Sequence, residues 1–147
     1  MKSIIIFGGS GYVGKNIIRF FAKKDYKIIV PYQRQINEAN LRLLGSVGQI
    51  IPFHFTTLKN PKLLSILDTT EICVNLKTSW ESKELLLNKS IFKFNSDLIK
   101  ILKSSPSIKK FIFFSGLGSE KRSTLRNEII SKTEDLITKE LENSVII

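Results

Sequence analysis

The stretch Ile4-Ile-Ile-Phe-Gly-Gly-Ser-Gly-Tyr-Val-Gly14 constrains this chain more than any other. An apolar, β-branched run ends on glycines spaced G-x-x-G-x-x-G (Gly8, Gly11, Gly14), and an amphipathic stretch follows at once. That order predicts a strand, a tight turn and a helix. A residue without Cβ suits the turn at Gly8, a bulky anion can approach the main chain at Gly11, and Gly14 lets the helix pack closely. The free N–H groups that open such a helix stabilise negative charge in front of them. A glycine pattern alone is weak, and a purely structural turn would show it too. Its weight depends on what surrounds it.

The rest of the sequence supplies that setting. Short apolar runs at Ser3 to Phe7, Lys27 to Pro31, Gln49 to Phe53, Ile72 to Leu76, Lys110 to Ser115 and Ser144 to Ile147 predict strands, most of them apolar enough to be covered on both faces. Helical periodicity falls between them at Tyr12 to Lys24, Asn37 to Leu44, Pro61 to Leu67, Glu84 to Lys103 and Thr124 to Leu141. Asn60 stands as an N-cap before Pro61. Strict strand–helix alternation with right-handed crossovers predicts an α/β, doubly wound parallel sheet of the Rossmann type. At the first strand–helix turn of such an array, the glycines read as a pyrophosphate cradle for a dinucleotide.

The 147 residues allow one domain, the dinucleotide-binding unit over residues 1–147, with no room for a substrate lobe after the sixth strand. The single cysteine, Cys73, lies within an apolar strand and excludes an intramolecular disulfide. No apolar run reaches the roughly 20 residues of a membrane span, and the first apolar run is too short for a secretion signal, so a cytoplasmic setting is expected. The net charge is +10, with 23 basic and 13 acidic residues, but the lysines recur singly along the helices. Without a recognition helix or a platform of stacking aromatics, nucleic acid is not an expected partner. A solvated lysine-rich surface and weak attraction to anionic lipid or an acidic subunit both fit this charge. His54, the one histidine, has no neighbouring ligand cluster, so no metal site is expected.

Which dinucleotide the turn prefers rests on the end of the second strand. NAD sites usually place an acid there, about 20 residues beyond the glycines, to accept from the ribose 2′-hydroxyl. This chain has Val30-Pro-Tyr-Gln-Arg34 and no acid. A cation at Arg34 suits a 2′-phosphate and favours NADP(H) over NAD(H); a solvated loop arginine is the other reading.

With Phe7-Gly-Gly-Ser-Gly-Tyr-Val-Gly14, Val30-Pro-Tyr32, Leu44-Gly-Ser-Val-Gly-Gln-Ile50, Val74-Asn-Leu76 followed by Trp80-Glu81, and Lys109-Lys-Phe-Ile112, the sequence resembles the atypical short-chain dehydrogenase/reductase family. Within it the likeness is to the group of 39 kDa accessory subunits of respiratory complex I and their bacterial relatives. The resemblance implies that Gly8, Gly9, Ser10, Gly11, Tyr12, Val13 and Gly14 form the pyrophosphate turn. It implies that Gln33 or Arg34 borders the adenosine 2′ position, and that Leu76 and Ser115 line the nicotinamide side. It also implies a respiratory or assembly subunit as a protein partner, with peripheral association with the inner membrane. An acid that often follows the third strand in this family is Thr56 here.

Family members that catalyse use Tyr-x-x-x-Lys on the helix after the fifth strand, where the lysine lowers the tyrosine pKa and the tyrosine moves a proton. Lys132 fits the lysine and can reach a cofactor ribose, but Glu128 stands four residues earlier and no tyrosine is near. No catalytic residue is therefore assigned. The leading expectation is an NADP(H)-binding protein with a structural or assembly role. A reductase or epimerase working with a substrate lobe, and a redox-sensing regulator, are the alternatives.

Overall fold

Alternate residues of the apolar runs serve opposite faces of one sheet. The first strand, β1 (Ser3–Phe7), sends Ile4 and Ile6 into one core and Ile5 and Phe7 into the other, all four fully buried. Full burial of side chains this size stabilises by roughly 1.5–3 kcal/mol each, which makes β1 the centre of the molecule.

The computed structural model describes residues 1–147. Its six strands, β1, β2 (Lys27–Tyr32), β3 (Ile50–His54), β4 (Ile72–Asn75), β5 (Lys110–Phe113) and β6 (Ser144–Ile146), form one parallel sheet in the order β3-β2-β1-β4-β5-β6. This is the doubly wound order predicted from the alternation. The chain reverses its direction of travel between β1 and β4, the switch point at whose carboxyl ends doubly wound sheets place their binding crevice.

Helices α1 (Tyr12–Ala22) and α2 (Glu38–Arg42) cover one face with Ile18, Ala22 and Leu41. The other face is covered by α3 (Pro61–Leu67), α5 (Phe94–Ser104) and α6 (Leu125–Glu140), through Leu63, Leu67, Leu98, Leu102 and Ile137. Asn60 caps α3 as expected, its side-chain oxygen accepting from the N–H groups of Lys62 and Leu63. Asn37 lies just outside α2 and caps it through Asn40 N–H.

The helix expected over Glu84 to Lys103 is interrupted. It comprises α4 (Glu84–Asn88), a π-helical segment (Lys89–Lys93) and α5. The halves have different partners: Leu87 and Ile91 pack with Ile129 and Ile130 of α6, whereas Phe94, Leu98 and Leu102 pack on the sheet. The wider π turn rephases one face into the other. Asn95, buried just beyond it, donates to the Ile91 carbonyl and accepts from the buried Asn75 side chain at the end of β4. Elsewhere β1 and α3 coincide with the predicted ranges, and the other strands and helices differ from them by no more than two residues at either end.

Candidate functional site

The glycine turn follows β1 at this switch point, and its three glycines answer to different neighbours. Gly8 has φ +76, and a Cβ there would meet the Leu76 carbonyl carbon and Lys77 nitrogen at 2.9 Å, because the segment after β4 runs against the turn. A Cβ on Gly14 would lie 2.5 Å from Gly9 Cα and from the Gly9 carbonyl oxygen, so α1 rests on the turn backbone itself. Gly11 is different: its Cβ would find only the Gly8 oxygen, at 3.6 Å, and its φ of −74 suits any residue. The fold does not require glycine at position 11. Open space in front of that backbone fits an approaching anion.

Helix α1 supplies the donors. Gly11 is its N-cap and no side chain caps it; the first intrahelical bond is Lys15 N–H to the Gly11 oxygen. The N–H groups of Tyr12, Val13 and Gly14 have no partner within the chain. The Tyr12 and Val13 side chains are exposed, and Ser10 is partly so. A pyrophosphate would fit this cradle, which offers unpaired N–H groups and open space in front of Gly11.

Beyond the turn, the ends of β2, β3 and β4 are tied together. The Gln33 side chain donates to the Thr56 carbonyl at 3.1 Å and accepts from Lys77 Nζ at 2.6 Å. Thr56 thus contributes a backbone oxygen. Lys77 also lies over the Phe94 ring, 4.1 Å from its centroid. Burial, and then the charges of Arg34 and Lys89, lower the Lys77 pKa to about 8. No carboxylate pairs with Lys77, Arg34 or Lys89. Glu38, the acid nearest Arg34 in sequence, accepts from Tyr32 and Arg42 instead, and the Tyr32 hydrogen bond holds its carboxyl below the usual range.

Lys77 and Lys89 were not anticipated from the sequence. Lys77 directly follows Leu76, so its place at the carboxyl end of β4 was a readable signal. Lys89 is exposed on the π-helical segment, which periodicity could not reveal.

Of the residues expected to border the nicotinamide, Leu76 is half-buried against the core. The Ser115 hydroxyl donates to Glu134 of α6, which also accepts from Ser119 at 2.9 Å. Lys132 is exposed and lies 3.4 Å from Glu128 one helical turn away, an ordinary surface pair. Arg126 donates to the Ser79 carbonyl and Thr78 hydroxyl and stacks at 4.0 Å on Trp80, which is 81% exposed. Cys73 is fully buried, and burial raises its thiol pKa far above the ordinary value. No three His, Cys, Asp or Glu side chains gather as a metal would need.

A six-stranded doubly wound sheet with a bare glycine turn at its switch point is the architecture of a dinucleotide-binding Rossmann protein. The chain belongs to the NAD dependent epimerase/dehydratase family, whose model matches residues 4–130. Membership implies a nicotinamide dinucleotide as the cofactor.

Among curated proteins it is similar to the mitochondrial NADH dehydrogenase [ubiquinone] 1 alpha subcomplex subunit 9 of Arabidopsis thaliana. The two are 22% identical over 82% of this chain and 31% of the relative. The Dictyostelium discoideum subunit of the same name is 24% identical over 80% and 33%. The chain therefore spans about a third of the length of these relatives.

Similar solved structures include Pen from Bacillus thuringiensis, with a TM-score of 0.83, 16% identity and coverage of 99% of this chain and 48% of that one. The UDP-Glc/GlcNAc 4-epimerase of Campylobacter jejuni follows with 0.74, 18%, 99% and 52%. At these identities the likeness is one of fold. No helix of the chain is long and apolar enough to cross a membrane.

Proposed function

We propose that this chain binds NADP(H) in preference to NAD(H) and holds it as a structural or assembly element rather than turning it over. One observation carries the cofactor preference: Lys77, whose main chain runs against Gly8 and whose Nζ donates to Gln33, feels the charges of Arg34 and Lys89, and none of the three has a carboxylate partner. The 2′-hydroxyl of NAD would leave that charge unanswered, whereas the 2′-phosphate of NADP answers it with charge-assisted hydrogen bonds.

In this reading Gly9, Ser10, Gly11, Tyr12 and Val13 hold the pyrophosphate, with Gly8 and Gly14 setting the turn. Gln33, Arg34 and Lys77 take the adenosine 2′ position, and Leu76 and Ser115 border the nicotinamide. Lys132 is the residue assigned to the nicotinamide ribose, which requires it to leave Glu128. The bound cofactor would offer a hydride, but the chain presents no group poised to move the accompanying proton. Glu128 replaces the phenol and is held by Lys132 on the solvent side of α6, and Ser115 already donates to Glu134. The relatives named as NADH dehydrogenase subunits support a protein partner in a respiratory or assembly complex.

Calorimetric titration with NADPH and NADH tests the reading. Tighter NADPH binding, narrowed in Arg34→Ala and lost in Gly11→Asp, is expected. Equal or tighter binding of NADH overturns the preference, and reduction of a carbonyl substrate by the purified protein with NADPH overturns the non-catalytic role.

A further inference from the structure

We propose that the groove between α1 and α2 is a docking site for an acidic, amphipathic helix of a partner protein. The groove is open, about 530 Å³, and lies on the outer side of α1, away from that helix's core contacts. Lys15, Arg19 and Lys23 form one wall; Asn40, Leu43 and Leu44 form the other.

The cations fall at i, i+4 and i+8, so successive charges are about 6 Å apart along α1. None of the three has a carboxylate within ion-pair distance, and none makes a side-chain hydrogen bond within the chain. The one acid on the facing helix, Glu38, is held by Arg42 and Tyr32. The positive wall is left without an internal counter-charge. The opposite wall offers Leu43, which is 81% exposed although it sits at the end of a helix that buries Leu41.

A helix bearing glutamates at the same i, i+4, i+8 interval repeats the 6 Å spacing, and leucines beside them can cover Leu43 and Leu44. A lipid surface is flat and would reach the exposed Leu43 but not the partly buried Leu44. A nucleic acid would meet leucines where it needs stacking rings or hydrogen-bond partners. Charge and shape together favour the acidic helix. This site is separate from the dinucleotide crevice and does not rest on cofactor binding.

The test uses a fluorescent synthetic peptide about four turns long, with glutamates at three successive i, i+4 positions flanked by leucines, read by anisotropy against the full chain. Binding should weaken with added salt, fall about tenfold or more in Arg19→Glu and in Leu43→Ser, and stay unchanged in Lys110→Glu, which alters a remote surface lysine. Arg19→Glu relieves repulsion within the groove but places an acid in the last turn of α1, two small opposing effects, so its thermal unfolding should stay close to the parent and show that folding is intact. Failure of the peptide to bind, or equal binding by the parent and Arg19→Glu, overturns the proposal. So does Arg19-dependent binding to phosphatidylserine vesicles or to poly(dT) without binding to the peptide.

Discussion

Adding one methyl group at Gly14 or at Gly11 separates what the fold demands from what a ligand demands. At Gly14 the new Cβ would stand 2.5 Å from Gly9 Cα and carbonyl oxygen and 2.6 Å from the Gly9 carbonyl carbon. All three are main-chain atoms with no rotamer to yield, so α1 must lift about 1 Å from the turn and loosen the packing of Ile18 behind it. Overpacking of this kind costs roughly 1–3 kcal/mol, partly offset by up to about 1 kcal/mol of helix propensity. Starting from the upper half of that range, Gly14→Ala should lose about 1–2 kcal/mol, or roughly 3–8 °C in Tm for a chain of this size. Gly11→Ala meets nothing closer than 3.6 Å at an ordinary φ, so its Tm should stay within about 2 °C while NADPH affinity drops at least about tenfold. Thermal unfolding by far-UV circular dichroism, paired with NADPH calorimetry, reads both quantities. Equal Tm losses in the two variants, or an unchanged Tm in Gly14→Ala, would refute the reasoning.

The lowered Lys77 pKa, about 8 against an ordinary 10.5, gives two pH effects. Between those values the unfolded chain holds the proton that the folded one has released, so stability should rise with pH across about 8 to 10.5, and Lys77→Met should flatten that rise in denaturant melts. NADPH affinity should fall as pH rises through 8, when Lys77 loses its charge, and a pH-independent affinity up to pH 10 would count against its contact with the 2′-phosphate. Replacing either Asn75 or Asn95 by leucine strands a buried amide and should cost about 1–3 kcal/mol, with the double variant losing clearly less than the sum in a mutant cycle. Arg126→Ala should alter the emission of Trp80, the only tryptophan, and cost no more than about 1 kcal/mol; an unchanged spectrum would deny the stacking.

What the residues disclosed in advance was whatever repeats at short range. The β1 run, the glycine spacing and the Asn60-Pro61 cap each encode local backbone geometry, so the strand–helix order and the turn were readable. Strand order followed because alternation with right-handed crossovers leaves few parallel sheets. The interruption of the helix at Lys89–Lys93 was not readable, because Leu87, Ile91, Phe94 and Leu98 keep a helical interval on both sides of it. Only the tertiary partners, α6 for the first pair and the sheet for the second, distinguish the two halves. The link from Lys77 to Gln33 spans 44 residues of sequence, and the lysine at its end looked like one of many. Arg34 was singled out because it lies a fixed distance beyond the glycines; the charge of Lys77 comes near it only through the fold.

The π-helical segment also sets a limit on insertions and deletions. A π turn accommodates one residue more than an α turn, so deleting one residue within Lys89–Lys93 would restore an unbroken helix at little local cost. The two halves would stay in phase, because the π turn is what absorbs the extra residue, so Leu87 and Ile91 would keep α6 while Phe94 and Leu98 keep the sheet. Inserting a further residue there finds no such slack and would turn the halves against each other by about 100°. Leu87 and Ile91 could then keep α6, or Phe94 and Leu98 the sheet, but not both pairs, and Asn95 would swing away from Asn75, releasing the end of β4 that carries Lys77. A one-residue deletion in this segment should therefore be tolerated far better than a one-residue insertion.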